Sequence, residues 1–154
     1  MKGGEIMKTQ HIVIGIVAVL LIGGGIVFFN SQSAPKDSSS AQNSSSAKFQ
    51  NQYLAYSPEN LTKAQSNNGK AVIFFHAGWC PTCIAAERDF KVNFDKVPEN
   101  VTILQTDYDT SKELKQKYNV TYQDTFVQVD SQGNEVTKWS SGGQGVGALL
   151  ANLK

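Results

Sequence analysis

The sequence predicts an α/β domain with a mixed central sheet and helices on both faces, preceded by one transmembrane helix. Three observations predict it. Strand-like and helix-like segments alternate from about residue 52 onward; an apolar run over 71–77 reads as a strand buried on both faces; and an uncharged apolar block fills residues 12–29.

The first eleven residues carry Lys2 and Lys8 against Glu5. As a helix, the block 12–29 would extend roughly 27 Å, close to the ~30 Å hydrocarbon core of a bilayer. The two lysines before it place residues 1–11 in the cytoplasm and the rest of the chain outside. A cleaved signal peptide is the rival reading, with small residues at Ser31 and Ser33 or at Ala34 before a cut. The block exceeds the usual apolar region of about 7–15 residues, and Pro35 directly follows Ala34, which favours a retained anchor. Residues 30–47 are rich in Ser, Gln and Asn and lack apolar content. They are predicted to be a disordered tether with a reach of about 20–25 Å. Residues 48–154 then make one domain of ordinary size. A net charge of +1 leaves no electrostatic footprint for nucleic acid.

Within the domain a short first strand is expected over 52–56. Ser57 caps the next helix, Pro58 fits its first turn, and Asn67, Asn68 and Gly69 stop it. The central strand over 71–77 is broken in its apolar character only by His76. Ala85, Ala86, Phe90 and Phe94 then recur at helical spacing to about residue 96, and Pro98 ends the segment. A strand over 101–106 follows. Asp109 or Thr110 opens a helix to Tyr118, with Glu113 placed for a capping box with Thr110 and Leu114 facing inward. Strands over 125–130 and 135–139 flank Ser131, Gln132, Gly133 and Asn134, a hairpin signal. The last helix, over 145–153, carries Leu149, Leu150 and Leu153 on its apolar side. The resulting order, βαβαβαββα, gives the mixed sheet.

Both cysteines of the chain lie in the run Trp79, Cys80, Pro81, Thr82, Cys83, between the central strand and a helix. Pro81 begins that helix, so Cys80 sits at its entrance. Unpaired backbone N–H groups and the helix dipole there favour a thiolate, the form that attacks disulfides. Cys83 lies about one turn inside, where access is poorer. A purely structural disulfide competes with this reading, but closing so short a loop stabilises by only about 2 kcal/mol. Zinc held by His76, Cys80 and Cys83 lacks a fourth ligand, and no metal is expected.

Together with Asp107, Tyr108 and Asp109, with Tyr118, Asn119 and Val120, with Thr125 and Phe126, and with Gly142 and Gly143, this run resembles the thioredoxin family across 48–154. The resemblance implies a thioredoxin fold and protein disulfide oxidoreductase activity without a small-molecule cofactor. It assigns Cys80 as the exposed attacking thiol and Cys83 as the buried resolving thiol. Trp79 would cover the site and help dock partners, while Pro81, Thr82 and Thr125 support the pair.

Three positions depart from the family pattern. The cis-proline usual before the Thr125 position is Asp124 here. A cis peptide before a non-proline costs about 2.5–4 kcal/mol, so a trans bond and a rebuilt loop are expected. The buried carboxylate six residues before the first cysteine is replaced by Phe74, and the lysine associated with it aligns near Gln105. Asp124 then has three readings: a substitute proton acceptor near Cys83, a charge that raises both thiol pKa values, or a solvated loop residue. His76 shares strand parity with Phe74. It reads as a packing residue at a strand end, in preference to a charge that stabilises a thiolate.

The function expected is thiol–disulfide exchange with exported protein thiols and disulfides outside the cytoplasm, from a single-pass anchor in the cell membrane. A membrane redox protein is a further candidate partner. The alternative is a non-catalytic thioredoxin-fold binding module whose Asp124 loop has been altered.

Overall fold

The alternation of strand and helix signals resolves, in a computed structural model describing residues 38–154, into α1 (Ser38–Gln52), β1 (Tyr53–Ala55), α2 (Pro58–Gln65), β2 (Lys70–His76), α3 (Pro81–Asn93), β3 (Val101–Asp107), α4 (Lys112–Lys117), β4 (Thr125–Val129), β5 (Glu135–Ser140) and α5 (Gly145–Asn152). From β1 onward this is the predicted order. The segments 1–11 and 12–29 and the start of the tether lie outside the described residues. No helix among the described residues is long and apolar enough to cross a membrane.

One five-stranded sheet runs β1-β3-β2-β4-β5. The first three strands are parallel, as the crossovers through α2 and α3 require, and β4 and β5 complete the sheet antiparallel. The hairpin between them is closed by Asp130, whose carboxylate accepts from the Gln132 and Asn134 amides at 2.9 and 2.8 Å. Alternation along β2 sends Val72 and Phe74 into one core and Ile73 and Phe75 into the other. On the first face Phe74 stacks on Phe126 at 4.0 Å between ring centres, and Phe126 stacks on Trp139 at 5.6 Å. The same core takes in Cys80 and Cys83, so the reactive pair is built into the main apolar cluster.

Local caps follow the sequence where a side chain serves its own helix. The Ser57 hydroxyl accepts from the Asn60 amide at 3.0 Å, with Pro58 in the first turn. The capping box expected at Thr110 does not form. Asp107 instead accepts from both the amide and the hydroxyl of Thr110, at 2.8 and 2.7 Å, and α4 begins only at Lys112. On α5, Leu149 is fully buried while Leu150 is 45% exposed, so the apolar side is narrower than predicted.

Residues 38–47, expected in the disordered tether, belong to α1. Its last turns dock on distant residues. Phe49 stacks on Tyr53 at 4.7 Å and meets Phe94 edge-on at 5.2 Å. Lys48 donates to the Val97 carbonyl at 2.6 Å and pairs with Glu99 at 2.7 Å, and Gln52 donates to the Val101 carbonyl at 2.6 Å. Composition signalled too little apolar surface for a helix; the anchoring comes from partners about fifty positions away.

Helices α3 and α5 meet at Gly145, where an added Cβ would stand 2.4 Å from the Ala86 carbonyl oxygen. Asp89 of α3 reinforces this contact by accepting the Val146 amide at 2.8 Å, a carboxylate at the positive end of α5. Gly147 has open space, its nearest neighbour being the Gln144 side-chain oxygen at 3.7 Å. Two substitutions of the same kind should therefore act in opposite directions. Gly145→Ala is expected to cost about 1–3 kcal/mol through overpacking, and Gly147→Ala to add about 0.5–1 kcal/mol through helix propensity. Urea midpoints of the two variants check this, and a Gly145→Ala midpoint at or above that of the parent would refute the tight contact.

Candidate active site

Strand β2 delivers the chain through Ala77, Gly78 and Trp79 to Cys80, which is the N-cap of α3, with extended backbone at φ −86° and ψ 116°. Its sulfur does what an N-cap oxygen does elsewhere, accepting the Cys83 amide at 3.1 Å. Pro81 occupies the first helical position, where no N–H is needed. Thr82 brings its hydroxyl to 3.2 Å from the Cys80 sulfur. Both cysteines are unbridged thiols.

The two sulfurs are driven apart in acidity. Burial opposes ionisation of Cys80, but hydrogen bonds from the Cys83 thiol, the Thr82 hydroxyl and the Cys83 amide outweigh it, so its pKa is lowered despite the nearby Asp124 carboxylate. For Cys83 burial comes first. The hydrogen bond to Cys80 and the charges of Cys80 and Asp124 add to it, pushing the thiol up to about 12 against a lowering contact with the Ala77 backbone. The pair therefore holds one sulfur made more acidic than an ordinary thiol and, a helical turn away, one that resists ionisation.

The attacking thiol was expected to be exposed, and here the structure corrects the sequence. Cys80 is only 1% exposed, because its side chain turns inward to cap the helix, whereas Trp79 beside it is 61% exposed. The Trp79 indole donates to the Asp109 carboxylate at 2.8 Å, which ties it to the loop after β3. Pro81 and Thr82 are exposed on the helix entrance. An incoming disulfide reaches the Cys80 sulfur only by displacing part of its cover.

Asp124 is buried, at 3% exposure, which excludes the solvated reading. Its backbone is left-handed at φ +61°, a conformation Asp tolerates better than most residues. The loop is fixed at every polar group. Its amide donates to the Phe75 carbonyl at 3.0 Å, and its carbonyl accepts from the Ser141 amide at 3.2 Å. Its carboxylate accepts from the Ser141 hydroxyl at 2.5 Å and from Ser140 at 3.3 Å. Ser141 in turn accepts the Gly143 amide at 2.9 Å, and Gly143 lies against Thr82 and Ala85 of α3. Asp124 thus reaches the thiols as a fixed charge. Thr125, also buried, opens β4 and donates to the Tyr122 carbonyl at 2.8 Å.

His76 ends β2 almost buried, edge-on to Phe74 at 5.3 Å, with Nε2 3.4 Å from the Glu87 carboxylate. Phe74 is fully buried where the family carboxylate would stand, and Gln105 is its partner across β2 and β3. No cluster of three or more His, Cys, Asp or Glu side chains suited to a metal ion occurs among the described residues. Sequence reasoning missed Ser140 and Ser141, which hold Asp124, and Glu87. Glu87 had a signal: it lies four residues after Cys83, on the same helix face.

Titrating alkylation of Cys80 with iodoacetamide tests this electrostatic layout. Thr82→Val removes a hydrogen bond to the sulfur and should move the titration to higher pH. Asp124→Asn removes a charge that disfavours the thiolate and should move it to lower pH. A midpoint unmoved by Asp124→Asn would take the carboxylate out of the site's electrostatics.

Comparison with known proteins agrees with this architecture. The thioredoxin family model matches residues 52–154. Among solved structures, Trxlp from Edwardsiella tarda is 26% identical, with a TM-score of 0.53 over 63% of this chain and 93% of that one. The reduced thioredoxin pre-protein of Schistosoma mansoni is 23% identical, with a TM-score of 0.52 over 65% of this chain and 93% of that one, a likeness of fold. No curated protein matches the chain. With the family model covering most of its length, a sheet of the required order and a cysteine pair at the head of α3, the chain belongs to the thioredoxin family.

Proposed function

We propose that the chain is a thiol–disulfide oxidoreductase acting on exported protein partners through Cys80 and Cys83, held at the cell membrane by residues 12–29 with its domain outside the cytoplasm. The observation that carries this reading is the placement of the pair, Cys80 at the N-cap of α3 with its sulfur 3.1 Å from the Cys83 amide, and Cys83 buried one turn behind it. Exchange needs one sulfur that ionises easily and a second that stays protonated until a mixed disulfide exists. Cys80 thiolate attacks a partner disulfide, forming a Cys80–partner bond and expelling the partner's other sulfur as a thiolate. Cys83 then loses its proton and attacks the Cys80 sulfur. That closes the Cys80–Cys83 disulfide and releases the second partner thiolate: two electrons pass to the partner. The reverse sequence oxidises a partner dithiol at the same atoms.

The 1% exposure of Cys80 favours a second reading, a binding module without turnover. Catalysed reduction of insulin by the chain with a small-molecule dithiol separates the two. Turnover should vanish in Cys80→Ser, and Cys83→Ser should accumulate a mixed disulfide on Cys80. Absence of cysteine-dependent turnover in both the reducing and the oxidising direction would leave the binding module. The proposed topology has its own readout. A membrane-impermeant maleimide should label Cys80 in intact cells, and labelling only after lysis would overturn the extracytoplasmic placement.

A further inference from the structure

One short segment lies along the reactive half of α3. A Cβ added at Gly143 would stand 3.4 Å from the Ala85 Cβ and 3.9 Å from the Thr82 Cα, ordinary contact distances, so the chain there backs the first turn of the helix. Two residues on, Gly145 packs tightly on Ala86 and Phe90, and the Val146 amide donates to the Asp89 carboxylate at 2.8 Å. Residues 143–146 therefore follow α3 from Thr82 to Phe90, the stretch that contains Cys83.

Ser141 fixes where this segment begins. It is buried, and its hydroxyl joins two parts of the chain, donating to the Asp124 carboxylate at 2.5 Å and accepting the Gly143 amide at 2.9 Å. Its backbone is engaged as well: the amide donates to the Asp124 carbonyl at 3.2 Å, and the carbonyl accepts the Gln144 amide at 3.0 Å. Asp124 is itself held to β2 through the Phe75 carbonyl. Between Ser141 and the contact with α3 stand only Gly142 and Gly143, both left-handed at φ +57° and +86°. Two such glycines have no side chain to hold the turn and many conformations to escape into, so the Ser141 hydroxyl is what closes it.

Thr82, which Gly143 backs, carries the hydroxyl that stands 3.2 Å from the Cys80 sulfur. We propose that Ser141 is a positioning residue for exchange: by joining Asp124 to the turn at Gly142 and Gly143 it seats the first turn of α3 and keeps the Thr82 hydroxyl on the Cys80 sulfur. The role rests on exchange at Cys80 and Cys83, and Ser141 plays it through Thr82. Asp124 then acts on Cys80 in two opposed ways. Its charge disfavours a thiolate, whereas its bond to Ser141 supports a donor that favours one. Ser141→Ala parts the two effects, because it keeps the charge and leaves the Gly143 amide without its acceptor. The sign follows: a donor lost from the sulfur moves ionisation of Cys80 to higher pH.

Alkylation of the full chain by iodoacetamide, followed against pH by peptide mass so that Cys80 alone is read, tests the role in a double-mutant cycle. Below the midpoint of the titration Ser141→Ala should slow alkylation about three- to tenfold, the scale of one ordinary hydrogen bond. On the alkaline plateau it should match the parent, because only the ionised fraction changes. Thr82→Val should show the same pattern, and the double variant should be no slower than Thr82→Val alone. Ser141→Thr, which keeps the hydroxyl, should restore most of the rate. A Ser141→Ala profile equal to the parent's, or changed by one factor at every pH as a loosened or uncovered site would give, overturns the positioning role. So does a double variant in which the two effects add. Alkylation needs no partner, so the two readings fail separately: a parent chain without insulin turnover overturns exchange, and turnover with an uncoupled Ser141 overturns the positioning role alone.

Discussion

The sulfur of Cys80 has two duties, and the rest of the site follows from their combination. It caps α3 by accepting the Cys83 amide, and it is the sulfur placed to react. A cap requires the side chain to fold back over the helix entrance, so the geometry that stabilises the thiolate also hides it. The same hydrogen bonds that lower Cys80 are unavailable to Cys83, which sits deeper with burial as its main influence. Acidity and accessibility are therefore set by one local conformation and cannot be tuned separately without moving the first turn of α3.

Asp124 shows how the opposite wall is held without proline. A proline would supply a fixed φ and no donor. Asp124 instead adopts φ +61° and uses its donor, binding Phe75 through its amide and Ser141 through both its carbonyl and its carboxylate. The loop is thus pinned by hydrogen bonds to β2 and to the turn before α5, and Ser141 extends that hold to Gly143 against α3. The cost is a carboxylate beside two thiols, which works against ionisation of both. The lowered pKa of Cys80 reflects donors that overcome this charge.

Local signals made most of the fold legible. β2 announces itself by an apolar run interrupted only at His76, the hairpin by Gly133 and Asn134, and the Cys pair by its place on either side of Pro81 at a helix start, because each rests on neighbours within a few residues. What remained hidden depends on distant partners. α1 is anchored by Val97, Glu99 and Val101, and Asp124 is drawn inward by Ser141, seventeen positions away. The Thr110 capping box lost to a competing acceptor, Asp107, that the sequence also contains but does not rank. At the site, residue types were readable and burial was not. His76 reads as strand-end packing until the Glu87 carboxylate is seen beside it.

The replacement of the buried acid by Phe74 then has a physical logic. Phe74 joins Phe126 and Trp139 in a continuous ring stack, and an ionisable group inside that stack would lose its hydration with little in return. Two residues on, strand alternation returns the chain to the same face at His76, where the sheet ends and a polar cavity opens beside Gln105 and Asp107. A polar side chain at that rim, with the Glu87 carboxylate 3.4 Å away, carries a smaller desolvation cost than one at position 74. The aromatic stack and the polar strand end are in this sense one solution: the core gains apolar continuity, and the polar side chain on this face stands one pleat further on, at the rim where Glu87 meets it.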